Sequence, residues 1–84
     1  MEIVFSDYAL EDYLYWKERN LAVKQKIDTL LQEIKINPTH GIGDVIALRY
    51  GWVGYYSRRV SLRHRLVYKV EKDTISIVQC RYHH

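Results

Sequence analysis

Arginine, tyrosine and histidine residues recur in the second half of the chain, at Arg49, Arg59, Arg65, Tyr82 and His83. If strands bring them onto one sheet, they suit the metal-free cleavage of RNA by its own 2′-hydroxyl. This step needs a base for the hydroxyl, an acid for the leaving 5′-oxygen and cations for the charge that builds on the phosphorus centre. Histidine can fill either proton role because its reference pKa is about 6.5, and arginine supplies fixed positive donors. Arg65 and His83 are the best pair, but the residue types alone fit a surface arginine and a frayed terminal histidine as well.

Other motifs that could carry chemistry are incomplete. Gly41-Ile42-Gly43 is half of a phosphate-binding loop, but it lacks the lysine-serine ending, the preceding strand and the following helix. His83 and His84 are adjacent, so in a strand they point to opposite faces. A metal site would then need distant partners, and His40 and His64 are the only other histidines that could supply them. We therefore predict no metal and no cofactor.

Length and cysteine usage limit the class of protein. Eighty-four residues suffice for one domain, which we assign to residues 1–84, and no apolar run approaches the roughly 18–20 residues of a membrane span. Cys80 is the single cysteine and lies in a strand-like run, where a small packed hydrophobe is more common than a nucleophile. The sequence predicts a cytoplasmic protein without a signal peptide or membrane anchor.

Charge is divided unevenly along the chain. Residues 1–42 carry five basic and seven acidic side chains, whereas residues 43–84 carry eight basic and three acidic ones. The basic half is rich in arginine, which favours planar, multi-donor recognition of phosphate. Aromatic rings interleave with these arginines, at Tyr50, Trp52, Tyr55, Tyr56, Tyr68 and Tyr82. Some of these rings are expected to stack on bases and others to pack in the fold, so nucleic acid and ordinary solvated surface both remain open.

The hydrophobic pattern predicts an α+β fold with the element order β-α-α-β-β-β-β. A strand at 2–5 precedes a helix at 7–18 capped by Ser6, and a second helix begins after Asn20 and ends at Asn37-Pro38. Strands are expected at 45–50, 53–60, 64–71 and 74–83. We expect a two-helix hairpin packed on one face of a twisted, mainly antiparallel sheet, whose other face carries function.

Three strings extend the interpretation beyond fold class: DYLYW at 12–16, GYYSRRV at 54–60, and HRLVY at 64–68 with the ending CRYH at 80–83. With their spacing, they resemble the Txe/YoeB family of the RelE/ParE toxin superfamily over essentially the whole chain. The resemblance implies a small bacterial toxin that is encoded with an antitoxin. Freed from the antitoxin, it would bind the ribosome and cleave mRNA in the A site as a metal-independent endoribonuclease.

The resemblance also assigns roles to particular residues. The family's phosphate-stabilising arginine falls on Arg65, and its near-terminal catalytic histidine falls on His83. Arg49 stands where the family usually has lysine, and Arg59 matches a family arginine that contacts RNA. Further candidates for RNA binding are Arg58, Arg63 and Tyr82.

Two departures from the family pattern bear on activity. Typical members read Gly-x-Gly-Lys-Pro-Glu-x-Leu-Lys where this chain reads GIGDVIALR, so Ile46 replaces the glutamate expected to act as general base. Typical members also end His-Tyr, whereas this chain ends in His83-His84, and the terminal tyrosine that helps to hold RNA is absent. Three explanations stay open: His83 or His84 takes the base role, a carboxylate such as Asp44 does so, or the toxin is attenuated or inactive.

Other functions and partners follow from the same resemblance. The ParE branch of the fold poisons DNA gyrase by protein binding, and a silent homologue would only bind its antitoxin and regulate its operon. The implied antitoxin is an acidic segment that folds on binding and covers the basic site. A homodimer is also expected. The aromatic helix around Tyr13, Tyr15 and Trp16 offers apolar surface for it, and the same residues fit the core equally well.

Overall fold

Two α-helices and five strands make up the fold of the residues that the structure describes. The computed structural model describes residues 1–82, and His83 and His84 lie outside this part of the chain. The elements are β1 (Glu2–Phe5), α1 (Asp7–Arg19), α2 (Leu21–Ile36), β2 (Ile46–Ala47), β3 (Tyr55–Arg59), β4 (Arg65–Val70) and β5 (Thr74–Gln79). The strand order is β1-β5-β4-β3-β2, with β1 parallel to β5 and the other neighbours antiparallel. The predicted α+β class, element order and mainly antiparallel sheet are confirmed.

Side-chain caps fix where the helices begin. The Ser6 hydroxyl accepts a hydrogen bond from the Ala9 amide at 3.0 Å, and the Asn20 side chain accepts one from the Val23 amide at 3.3 Å. The second helix ends at Ile36, directly before the Asn37-Pro38 pair that cannot continue it. Both predicted caps and the predicted stop are confirmed.

Three of the four predicted C-terminal strands are appreciably shorter than expected, for reasons visible in the backbone. The strand predicted at 45–50 is reduced to two residues, because the Arg49 carbonyl accepts from the Trp52 amide in a 3-10 turn and Tyr50 has a φ of 60°. Gly54, with a φ of 91°, delays β3 until Tyr55. The last strand ends at Gln79 instead of residue 83, because the next amide donates to a side chain of α1.

The helices cover one face of the sheet. Strand residues of this face are fully buried and join one hydrophobic cluster with residues of both helices: Leu66, Tyr68, Ile75, Ile77, Trp16, Ile27, Leu30 and Ile34. Because successive strand residues point to opposite faces, β4 places Arg65 and Val67 on the side away from the helices. Neither helix of residues 1–82 is long and apolar enough to cross a membrane. We call the other face, on which neither helix packs, the uncovered face; Ser57, Arg65 and Val67 on it are nevertheless each 8% exposed or less.

Candidate functional site

Arg65, at the start of β4, is held in place by two residues, Ser57 and Asp44. Its Nε donates to the Ser57 hydroxyl at 2.9 Å, and its Nη2 donates to the Ser57 carbonyl at 3.3 Å and to the Asp44 carbonyl. Its Nη1 lies 3.5 Å from the Asp44 carboxylate. Only 8% of the residue is exposed, so the guanidinium is fixed in one orientation with its Nη1 end facing Asp44.

A second arginine shares that carboxylate. Arg59 is the cross-strand neighbour of Arg65, and its Nη2 donates to Asp44 Oδ2 at 3.4 Å. Like charges opposite each other in a sheet destabilise it, and the Asp44 carboxylate offsets this repulsion. Asp44 has a φ of 52°, and its side chain is 62% exposed. Two guanidinium groups and one carboxylate thus form a charged cluster at the surface. We call Arg59 and Arg65 the arginine pair.

The chain returns to this cluster after β5. The Arg65 amide donates to the Tyr82 carbonyl at 2.8 Å, and the Tyr82 amide donates to His64 Nδ1 at 2.6 Å. His64 Nδ1 therefore acts as an acceptor here, which places the ring proton on Nε2 in the neutral form. These bonds bring Tyr82, the residue that precedes His83, alongside Arg65. The catalytic candidates His83 and His84 themselves lie outside the described residues.

Helix α1 fixes the start of the same segment. The Cys80 amide donates to the Asp12 carboxylate at 3.1 Å, and the Trp16 indole donates to the Cys80 carbonyl at 2.9 Å. We call Asp12 and Trp16 the helix clamp, since they satisfy both backbone groups of one buried residue. Burial raises the pKa of Asp12, which outweighs the opposite effect of the Cys80 amide. The guanidinium of Arg81 packs 3.6 Å from the centre of the Tyr15 ring, which adds a further contact to α1.

Arg58 is not a surface residue, and its predicted role in RNA binding stays a prediction that this buried position does not favour. It is fully buried on the helix side of β3, where its Nε donates to the Tyr68 hydroxyl at 3.0 Å. Its Nη groups donate to the carbonyls of Ile42, His40 and Asn37. The guanidinium therefore supports the loop between α2 and β2 from inside. Alternation along β3 could have separated it from Arg59.

The other predicted RNA-binding residues are more scattered. Arg49 is exposed at the rim of a cleft of about 280 Å³ on the uncovered face. Tyr82 is half-exposed with a φ of 66°, beside Arg65. Arg63 is exposed on a different depression, which is also lined by Trp16, Val23 and His64. The structure thus brings Arg59 and Arg65 together, places Arg49 on the cleft, and places the Tyr82 ring against His64.

Sequence reasoning missed three residues that build the site. Ser57 lies on the same face of β3 as Arg59, and its hydroxyl orients Arg65, a role that the two-residue alternation of the strand could have indicated. Asp12 and Trp16 carried no such signal, because their contacts with Cys80 span more than sixty residues of sequence.

Cys80 is chemically quiet, as the sequence predicts. Burial raises the pKa of its thiol to about 12, with a smaller contribution from the charge of Asp12. The thiolate is the nucleophilic form of cysteine, so this residue supplies no nucleophile near neutral pH. Within residues 1–82, no group of three or more His, Cys, Asp or Glu side chains is placed to hold a metal ion.

Comparisons with known proteins identify a family. A family model described as "YoeB-like toxin of bacterial type II toxin-antitoxin system" matches residues 5–84. Toxin YoeB of Escherichia coli K12 is 37% identical over 84 residues, and Toxin YoeB of Streptomyces coelicolor is 40% identical, each over 100% of both chains.

Solved structures give the same relationship. The YoeB/ParE toxin from Agrobacterium tumefaciens superposes with a TM-score of 0.96 at 31% identity over 100% of both chains. The YoeB dimer from Staphylococcus aureus gives 0.93 at 41% identity, covering 100% of this chain and 98% of the other. YafQ from E. coli, at 19% identity and a TM-score of 0.76, shares the fold. The chain belongs to the YoeB family of toxins of bacterial type II toxin-antitoxin systems.

Proposed function

We propose that this toxin is a ribosome-dependent endoribonuclease that cleaves mRNA in the A site. The observation that supports this most is the fixed guanidinium of Arg65, which lies beside Arg59 and beside the segment that leads to His83. Positive donors held in advance at one place stabilise the charge that develops on a phosphate during reaction.

In the proposed reaction, the 2′-oxygen of one nucleotide forms a bond to its own 3′-phosphorus. The bond from phosphorus to the 5′-oxygen of the next nucleotide breaks, which leaves a 2′,3′-cyclic phosphate and a 5′-hydroxyl. The proton of the 2′-hydroxyl passes to a base, and His83 donates a proton to the leaving 5′-oxygen. Arg65 and Arg59 hold the non-bridging phosphate oxygens. No metal ion and no cofactor is needed for this exchange.

We also propose that the toxin is attenuated, in the sense that it cleaves mRNA without a positioned general base. Ile46, in the place of the family's glutamate, cannot take a proton, and it lies exposed on the edge strand β2 opposite Ser57. Asp44 is bound to the arginines that the phosphate requires. Because a positioned base contributes about 10²–10⁴-fold, its loss leaves the cleavage supported by positioning and charge alone.

The proposed partners follow from the family and from charge. Solved structures from Staphylococcus aureus include a YoeB dimer and YoeB-YefM toxin-antitoxin complexes. For this chain we propose a homodimer, a cognate acidic antitoxin that folds over the basic face, and binding to the ribosome and mRNA in the cytoplasm.

The test is primer extension on mRNA in a translation reaction with purified ribosomes. Wild type is compared with Arg65→Ala, His83→Ala and the control Lys72→Ala, which removes an exposed cation from the turn between β4 and β5. We expect cuts at A-site codons in wild type and Lys72→Ala, and their loss in the other two. Absence of cuts in wild type at high protein concentration rejects the nuclease in favour of the protein-binding alternative, for which gyrase inhibition and antitoxin binding are measured next.

A further inference from the structure

The cleft beside Arg49 is lined by both apolar and polar groups. It measures about 280 Å³ and is lined by Leu48, Arg49, Tyr50, Trp52, Val67 and Gln79. Val67 is 4% exposed and Gln79 is 9% exposed, so an aliphatic group and an amide form its inner part. Trp52 is 50% exposed, and the centre of its ring lies 4.9 Å from that of Tyr55 in an edge-to-face contact, so Tyr55 supports one side of the indole. An apolar slot with one amide inside and one cation outside fits a flat ring with a polar edge.

This cleft adjoins the arginine pair. Val67 follows Arg65 by two residues on β4, so both point to the uncovered face at a separation of roughly 6.6 Å along the strand. Val67 also pairs with Ser57, the residue whose hydroxyl orients Arg65. A register shift between Val67 and Tyr68 pairs Val67 with Gln79, so a bulge in β5 brings the amide to this position. A group bound in the cleft therefore lies next to a phosphate on the arginines.

Residues with a strained backbone lie around the same face. The residues of the described chain other than glycine that have a positive φ are Asp44, Tyr50 and Tyr82. Asp44 contacts Arg65, Tyr82 lies beside Arg65, and Tyr50 lines the cleft. Tyr50 is 91% exposed, so burial of its own ring does not explain its unfavourable backbone. Strained residues of this kind cluster at ligand sites, where a bound group makes use of the forced side-chain position.

We propose that the cleft is a nucleobase site, in which a base of single-stranded RNA stacks on Trp52 while its neighbouring phosphate lies on Arg59 and Arg65. The inference rests on the proposed function, because the same RNA occupies both places. In this arrangement the Gln79 amide, whose Nε2 also donates to the Arg81 carbonyl at 3.4 Å, contacts the edge of the base, and Arg49 contacts the backbone beyond it.

The first test measures binding of a short single-stranded RNA carrying 2′-O-methyl groups, which cannot be cleaved, by fluorescence anisotropy without ribosomes. We expect Trp52→Ala to weaken binding by roughly 5- to 150-fold, the range of one base-aromatic stack, and Trp52→Phe to weaken it much less. Leu62→Ala is the matched control, because Leu62 is 87% exposed and lies outside the cleft. Thermal unfolding of each variant shows that the protein is folded.

A second arm removes one base at a time. An abasic position that empties the cleft weakens binding to wild type and has little further effect on Trp52→Ala, as expected for two changes that remove one contact. Equal binding by wild type and Trp52→Ala overturns the proposal, as does an RNA that does not bind wild type at all. Loss of antitoxin binding without loss of RNA binding also overturns it and assigns the cleft to a protein partner. These results are independent of primer extension, so the base site and the nuclease can fail separately.

Discussion

Asp44 places one carboxylate oxygen against two guanidinium groups, 3.4 Å from Arg59 and 3.5 Å from Arg65. A phosphate that binds the same groups must displace it, since both anions need the same donors. The family pattern has lysine at this position, so the local charge is reversed in this chain. Under the proposed function, the acid therefore competes with the substrate phosphate for these donors.

We predict that Asp44→Asn strengthens binding of the non-cleavable RNA by roughly 2- to 5-fold per ion pair removed, the usual weight of exposed pairs. Asparagine tolerates the φ of 52° as well as aspartate does, so the backbone is kept. Asp73→Asn, in the exposed turn before β5, removes the same charge elsewhere and serves as the control in the anisotropy measurement. A fall in mRNA cleavage of tenfold or more would contradict competition and identify Asp44 as the base.

Ile46 allows the missing base to be restored. It is 44% exposed on an edge strand, so a glutamate there keeps its carboxylate in water. We predict that Ile46→Glu raises the rate of mRNA cleavage on ribosomes by about 10²-fold or more, the contribution of a positioned base. Ile46→Gln has nearly the same shape without a comparable proton acceptor. Equal rates for the two variants would show that the base is supplied from elsewhere.

At the scale of elements, the helices were predictable and the strand ends were not. Helix starts depend on single capping residues such as Ser6 and Asn20, and these are legible in sequence. Strand ends depend on partners that are distant along the chain. The last strand stops at Gln79 because α1 captures the next residue, and no local pattern encodes that contact.

The candidate site was predictable only in part, again because some of its contacts join residues that are distant along the chain. Arg59 and Arg65 belong to strings that point to phosphate binding, and the strand register does bring them together. Arg58 belongs to the same string but faces inward, which shows that a motif identifies residue types while the pleat of the sheet decides their direction. The roles of His83 and His84 stay predictions.

The helix clamp gives a prediction about stability. Asp12→Ala leaves the buried amide of Cys80 without a partner, and we expect a loss of about 1–3 kcal/mol in the free energy of unfolding. Trp16→Phe keeps the ring but removes the donor to the Cys80 carbonyl, with an expected loss of about 0.5–1.5 kcal/mol or somewhat more. Urea denaturation measures both.

Tyr13→Phe is the control for these two variants. It removes a hydrogen bond from the same helix to Asp28 in a partly buried place, without touching the segment after β5. If Asp12→Ala destabilises the protein no more than this control does, the clamp does not hold the segment.

At the scale of the whole molecule, the buried thiol couples stability to alkaline pH. The pKa of Cys80 is about 12 in the folded protein against 9.0 ordinarily, so between these values the unfolded chain loses a proton that the folded chain keeps. Ionisation of Cys80 therefore leaves the free energy of unfolding unchanged well below pH 9. Above about pH 9 the free energy of unfolding falls as the pH rises, with a slope of at most about 1.4 kcal/mol per pH unit. We predict a shallower fall for Cys80→Ala, measured by denaturation at pH 8, 9 and 10. Equal pH dependence of the free energy of unfolding in wild type and Cys80→Ala would contradict Cys80 as its cause.

The position of β5 has a consequence for how the sheet forms. It lies between β1 and β4, although it follows the other four strands of the described residues in sequence, and among these strands β1 pairs with β5 alone. β1 therefore joins the sheet only when residues 74–79 have paired with it. Partners such as Ile3 and Ile75 are about seventy positions apart, and parallel pairing over such a separation is slow because the loop must close before its contacts form.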